Sequence, residues 1–156
     1  MSDKDAILMA LQASADEVTR EVARLPEAAT LWKPSEAEWC QLEVLTHLWI
    51  GEHYIFLPRI RSFTAPNQPP EPVGDGQALQ KSEWDPTRPR DDLLASFLVD
   101  RQAELARLAT ADWEGMHPLA GPITLGWVAQ DTLWHTWAHL PQLIRLRLDY
   151  ELRGPQ

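Results

Sequence analysis

The chain has 156 residues, a mass of 17.8 kDa and 14 Lys plus Arg against 23 Asp plus Glu, for a formal net charge of -9 and a pI of about 4.9. That length suits one domain over residues 1–156, able to bury an apolar core unaided. The acidity disfavours nucleic acid as a partner, because the basic residues near the C-terminus (Arg145, Arg147, Arg153) recur singly among leucines and acids and form no patch to meet phosphates.

One cysteine, Cys40, leaves no internal disulfide framework. The opening Met1-Ser2-Asp3-Lys4-Asp5 has neither the basic segment nor the apolar run of a signal peptide, so the expected location is cytoplasmic. No stretch nears the roughly 18 to 20 apolar residues that a membrane crossing needs, and the mean hydropathy of -0.34 agrees. Eight tryptophans and 13 prolines stand out, and the prolines mark the loops.

From Lys4 to about Leu25, Ile7, Leu8, Leu11, Ala15, Val18, Val22 and Leu25 follow the three-then-four spacing of an amphipathic helix, which Pro26 helps to end. Pro26 to Trp39 reads as a connection. Gln41 to about Phe63 resumes helical spacing through Leu42, Leu45, Leu48 or Trp49, and Phe56, with a kink or break expected at Pro58. From Thr64 to Pro89, six prolines crowd among glycines and acids, which predicts a long crossover loop without regular structure, pinned by Leu79 and Trp84. A third helix is expected from about Arg90 to Ala109, buried through Leu93, Leu94, Phe97, Leu98, Leu105 and Leu108. An irregular piece with Gly115, Pro118, Gly121 and Pro122 follows, and Thr124 then suits the N-cap of a fourth helix from Leu125 to about Asp149. The fold class is therefore all-α, a four-helix bundle with a long crossover loop between helices 2 and 3.

His135 and His139 stand four residues apart, so on a helix both imidazoles leave one face one turn apart, as two ligands of one metal must. The second helix offers His47 and His53, whose directions differ by about 120°, so only one can join them. His47 lies among core positions and is the choice, whereas His53 falls at the surface or rim. Packing histidines would show the same spacing. Glu43, one turn before His47, and Asp131, one turn before His135, are candidates to orient a ligand or to serve as a general base. Gln142, three residues beyond His139, is placed to bond a ligand imidazole, and Trp49, Trp134 and Trp137 to wall a pocket over the metal. Pro141 removes a backbone donor just past His139 and should bend the fourth helix.

Two stretches resemble the DinB superfamily. One is Trp39-Cys40-Gln41-Leu42-Glu43-Val44-Leu45-Thr46-His47-Leu48, like the family's W-S-x-x-E-x-x-x-H-L; the other is His135-Thr136-Trp137-Ala138-His139-Leu140-Pro141-Gln142, like its H-x-x-x-H-x-x-Q. The likeness spans about Asp5 to Leu148 and implies a divalent metal held by His47, His135 and His139, often nickel or zinc, with iron also suited to such a site. Cys40 departs from the pattern, standing where the family commonly has a serine able to cap the second helix; its thiol is a weaker cap and either a reactive group or a buried filler.

Family members include thiol-dependent S-transferases, so the resemblance implies a metal-dependent transferase acting with a low-molecular-weight thiol. Metal-dependent hydrolysis, with Glu43 or Asp131 moving protons, and a non-catalytic, stress-associated metal-binding module are the alternatives. The tryptophan surplus suggests a homodimer.

Overall fold

A computed structural model describes residues 3–64, 75–117 and 122–155. Helix α1 spans Asp3–Arg24, and a short 3-10 turn at Glu27–Ala29 follows Pro26. Helix α2 spans Gln41–Ile50 and passes through a π-helical turn, Gly51–Phe56, into α3, Leu57–Thr64. Helix α4 covers Gly76–Glu83, α5 Arg90–Thr110 and α6 Leu125–Arg153. Among the described residues there is no strand, only an isolated bridge between Met116 and Thr124. The fold is an all-α bundle.

Four long rods form it: α1, α2 with α3, α5 and α6. The start of α2 meets the end of α1, where Gln41 Nε2 donates to the Val22 carbonyl. The start of α5 reaches the same end, where Arg90 donates to the carbonyls of Val22 and Leu25. Near the end of α6, Arg147 donates to Glu21 on α1. At the opposite end Leu11 packs with Leu108, Leu125 and Ile60. Hence α1 and α6 run one way while α2–α3 and α5 run the other. Because α2–α3 and α5 are parallel neighbours, the chain between them must return along the bundle.

That return is not wholly irregular, as the proline count had predicted. Asp75 caps α4 by accepting from the Gln77 N–H, and Leu79 and Trp84 pack against the core. The prolines that argued against regular structure lie mostly before it: Pro66, Pro69, Pro70 and Pro72 fall outside the described residues, as do Pro118 and Gly121. The expected break at Pro58 is also relocated. The helix widens one turn earlier, and the Leu57 N–H donates to the Glu52 carbonyl five residues back. A π turn takes up the donor that Pro58 lacks and the room its ring needs, so the rod continues. Helix α6 likewise runs on through Pro141, which lies on its exposed face, and ends four residues beyond the expected Asp149.

The core has two apolar clusters. One centres on Val18, Val22, Leu42, Leu45, Leu48, Leu93, Phe97, Leu143 and Leu146, the other on Leu11, Ile60, Leu108, Leu125, Val128 and Leu133. A buried ionic group stands at mid-bundle. The Arg101 side chain on α5 is wholly buried and donates to both oxygens of Glu52, at 2.9 and 2.7 Å. It also donates to the Leu11 carbonyl, Ser14 Oγ and Thr136 Oγ1, and lies 3.3 Å from Glu104 Oε2. Burial opposes the charge on Arg101, and the two carboxylates more than offset it. Burial, reinforced by the Glu52 charge, pushes the Glu104 carboxyl well above the usual carboxylate range, against the pull of Arg101.

Two variants separate these roles. Arg101→Met should cost about 3–5 kcal/mol by leaving the Glu52 charge buried alone. Glu104→Gln, which removes a carboxyl whose charge burial and Glu52 disfavour, should leave stability unchanged or raise it. Urea unfolding of both variants checks this, and an equal loss in the two would contradict it.

Candidate metal centre

His47 projects from α2, and His135 and His139 project from α6. One ligand-capable atom from each lies within 4.8 Å of the other two. His47 Nε2 and His135 Nε2 are 3.2 Å apart. The ring of His139 completes the group, with centroids 4.3 Å from His47 and 4.9 Å from His135. Two imidazole nitrogens on a tetrahedral zinc, at about 2.0–2.1 Å each, stand about 3.3 Å apart. The observed pair is already at that separation.

The electrostatics suit a cation ligand. Burial, and then the neighbouring His139, lower the His47 pKa to about 4, which the Gln80 carboxamide opposes. Burial, then His139, His47 and Arg101, lower His135 to about 3. Both rings are therefore neutral near pH 7 and keep a lone pair for a metal. His139 Nδ1 lies 2.9 Å from Gln142 Oε1, and because that oxygen can only accept, Nδ1 carries the proton and Nε2 is left free to ligate. The buried Nδ1 atoms of His47 and His135 have no hydrogen-bond partner. Such unpaired nitrogens fit a site whose tautomers a metal would set.

The backbone makes room for this. At Gly51 an added Cβ would stand 2.7 Å from His135 Cε1 and 3.0 Å from its Nδ1. Only a glycine lets the His135 ring lie so close to the π-helical turn, and Phe56 from the same turn packs on the ring, with centroids 5.3 Å apart. Thr136, beside His135, is held by Arg101, so the buried ionic group and the histidine cluster share one turn of α6.

The three proposed ligands and Gln142 come together as the spacing implied. His53 lies at the rim, paired with Asp100 at 3.0 Å. Glu43 faces back along its own helix start: its Oε2 accepts from the Cys40 N–H at 2.8 Å and from Lys33 at 2.7 Å. Burial would raise its pKa, but Lys33 and the Cys40 N–H outweigh it, so the carboxylate stays ionised. Asp131 pairs with Arg59 at 3.5 Å. Neither carboxylate bonds a ligand histidine, since the His47 and His135 Nδ1 atoms have no partner and that of His139 is held by Gln142. Cys40 is fully buried, and burial pushes its thiol up to about 11, which makes it a filler at the helix start.

The aromatic wall is a different one from that expected. Trp134 and Trp137 are 66% and 53% exposed on the outer face of α6, and Trp49 stacks on His53. Trp39 is the residue that meets the ligands, with centroids 5.2 Å from His47 and 6.5 Å, nearly parallel, from His139. The signal was its place just before the N-cap of α2, two turns from His47 and directed back over the site by the extended Cys40.

Two clefts share Trp39. One, of about 290 Å³, reaches His139 and Gln142 and is bounded by Pro34, Val44 and Arg145. The other, of about 710 Å³, reaches His47 and is bounded by Glu43, Gln80, Lys81 and Trp84.

The depressed histidine values predict how stability varies with pH. From about pH 6.5 down to the folded values, the unfolded chain binds more protons than the metal-free fold, so stability falls as pH drops through that window. His135→Asn removes one of the two groups responsible and should show a smaller drop. Urea midpoints at about pH 7 and about pH 5 test it; equal drops in the variant and the parent would contradict it.

No helix among the described residues is long and apolar enough to cross a membrane. Nothing among curated proteins and no solved structure matches the chain. The family model for the DinB superfamily matches residues 10–143, a span that contains His47, His135, His139 and Gln142. The chain belongs to the DinB superfamily.

Proposed function

We propose that the protein is a metal-dependent transferase that joins a low-molecular-weight thiol to an electrophilic small molecule. The observation that carries this reading is the pair of clefts meeting at Trp39, one open to His139 and the other to His47. A two-substrate reaction needs approach to one centre from two sides, and a hydrolase needs only one organic site. Glu43 and Asp131 point the same way, since Lys33 with the Cys40 N–H and Arg59 already engage the carboxylates that hydrolysis would want as a base.

His47, His135 and His139 hold the ion, nickel or zinc foremost and iron as a further choice, and Gln142 fixes the His139 tautomer. When bound, the metal supplies the positive charge that lowers the pKa of a thiol brought to it. The thiol loses its proton to solvent, its sulfur forms a bond to the electrophilic carbon, and the leaving group departs with its electron pair. Trp39 walls both clefts where they meet and keeps water away from the reacting atoms. Arg145 in one cleft and Lys81 in the other suit carboxylate groups on either partner. The exposed Trp127, Trp134 and Trp137 on α6 support pairing of two copies, and the acidity of the chain supports small molecules over nucleic acid. The proposed location is the cytoplasm.

The test is a metal-loaded assay of a panel of low-molecular-weight thiols against an activated aryl halide, with thioether formation as the readout. Thioether formation should require metal, and Trp39→Ala should keep the metal while losing roughly 10- to 100-fold in kcat/KM. Metal-dependent ester hydrolysis with no thioether from any thiol would overturn the reading.

A further inference from the structure

Metal-bound imidazoles need an acceptor for the N–H on the far side of the ring, which holds the ring in place and raises its basicity. Gln142 serves His139 in this way. The ring of His47 has no such partner, and its buried Nδ1 is unpaired. A second buried, unpaired atom lies at the same place. Gln80 on α4 lines the cleft that reaches His47, and its Oε1 has no hydrogen-bond partner either. Both residues line that one cleft.

The anchoring of Gln80 explains why its oxygen is free. Gln80 Nε2 donates to the backbone carbonyl of Glu43, one turn before His47 on α2, at 3.1 Å. A carboxamide held by its nitrogen beside that turn presents its oxygen as an acceptor. Ligation through Nε2 leaves a proton on Nδ1, so the one orphan becomes an obligatory donor and the other is an acceptor beside it. Leu79 and Trp84 packing on the core and the Tyr54 hydroxyl bond to Glu83 hold α4 against α2 and the π-helical turn, which keeps Gln80 in place.

Resting on the metal site of the proposed function, we propose that Gln80 is the positioning residue for His47, accepting its Nδ1 proton in the metal-bound protein and so tying α4 to the metal centre. The return segment then does more than connect two rods. Metal loading tightens α4 on the bundle, and α4 closes one side of the cleft at His47.

The experiment compares the full chain with Gln80→Leu and Gln80→Glu, each titrated with zinc and each followed by amide hydrogen exchange over α4. Zinc should slow exchange across Gly76–Glu83 in the parent chain. Gln80→Leu should bind zinc about 10- to 100-fold more weakly and lose that slowing. Gln80→Glu keeps an acceptor for the Nδ1 proton but loses the N–H that donates to the Glu43 carbonyl, so its affinity and protection should fall between those of the parent chain and Gln80→Leu. Affinity and exchange unchanged in Gln80→Leu, or equal losses in the Leu and Glu variants, would overturn the role of Gln80 and leave the metal site standing. A parent chain that binds no zinc, nickel or iron would overturn both.

Discussion

Arg101 is the interaction on which the arrangement depends. A guanidinium with no exposure to water must place all its donors, and here they reach α1 at Leu11 and Ser14, the π-helical turn at Glu52 and α6 at Thr136. These contacts come from the three other rods, so the register of all four is set at one point. Apolar packing alone tolerates small slides of one helix along another, whereas a bidentate pair at 2.7–2.9 Å does not. Breaking such a group leaves a buried charge unpaired, which is why it acts as a constraint more than as a source of net stability.

The histidine cluster inherits its geometry from that constraint. Glu52 follows Gly51 directly, and Thr136 follows His135, so the same residues that satisfy Arg101 fix the two backbones between which the His135 ring lies. The π turn brings Glu52 inward and turns Gly51 toward α6, and it accommodates Pro58 one turn later. From the other side Gln142, Trp39 and α4 enclose His47 and His139. Rigid rods thus carry the three histidines, while the segment before α2 and the helix α4 each close one side of a cleft.

Much of this was legible in the sequence because it rests on periodicity. The spacing of Leu11, Ala15, Val18 and Val22 marks α1, and the His135–His139 interval with His47 on an apolar face marks the cluster. Arg101, Glu104 and Glu52 were not legible, since charged residues on a helix read as solvent-facing. Yet Leu93, Phe97, Arg101, Glu104 and Leu108 form one continuous stripe, and the gap in its apolar pattern was the available sign. The short α4 was hidden by the proline content around it, and Trp39 by its position outside any helix. Trp134 and Trp137 misled for a geometric reason, since neighbours of an inward residue on a helix point outward, while Trp49 turns into the core and stacks on His53.

The central claim is that His47, His135 and His139 form one metal site. Elemental analysis of protein purified without an affinity tag or added metal, beside a His135→Ala, His139→Ala double variant, tests it most directly. The account predicts about one equivalent of nickel, zinc or iron per chain, absent from the variant. No metal in either protein, with reloading also failing, would contradict it and leave three half-buried histidines as packing residues of a helical core.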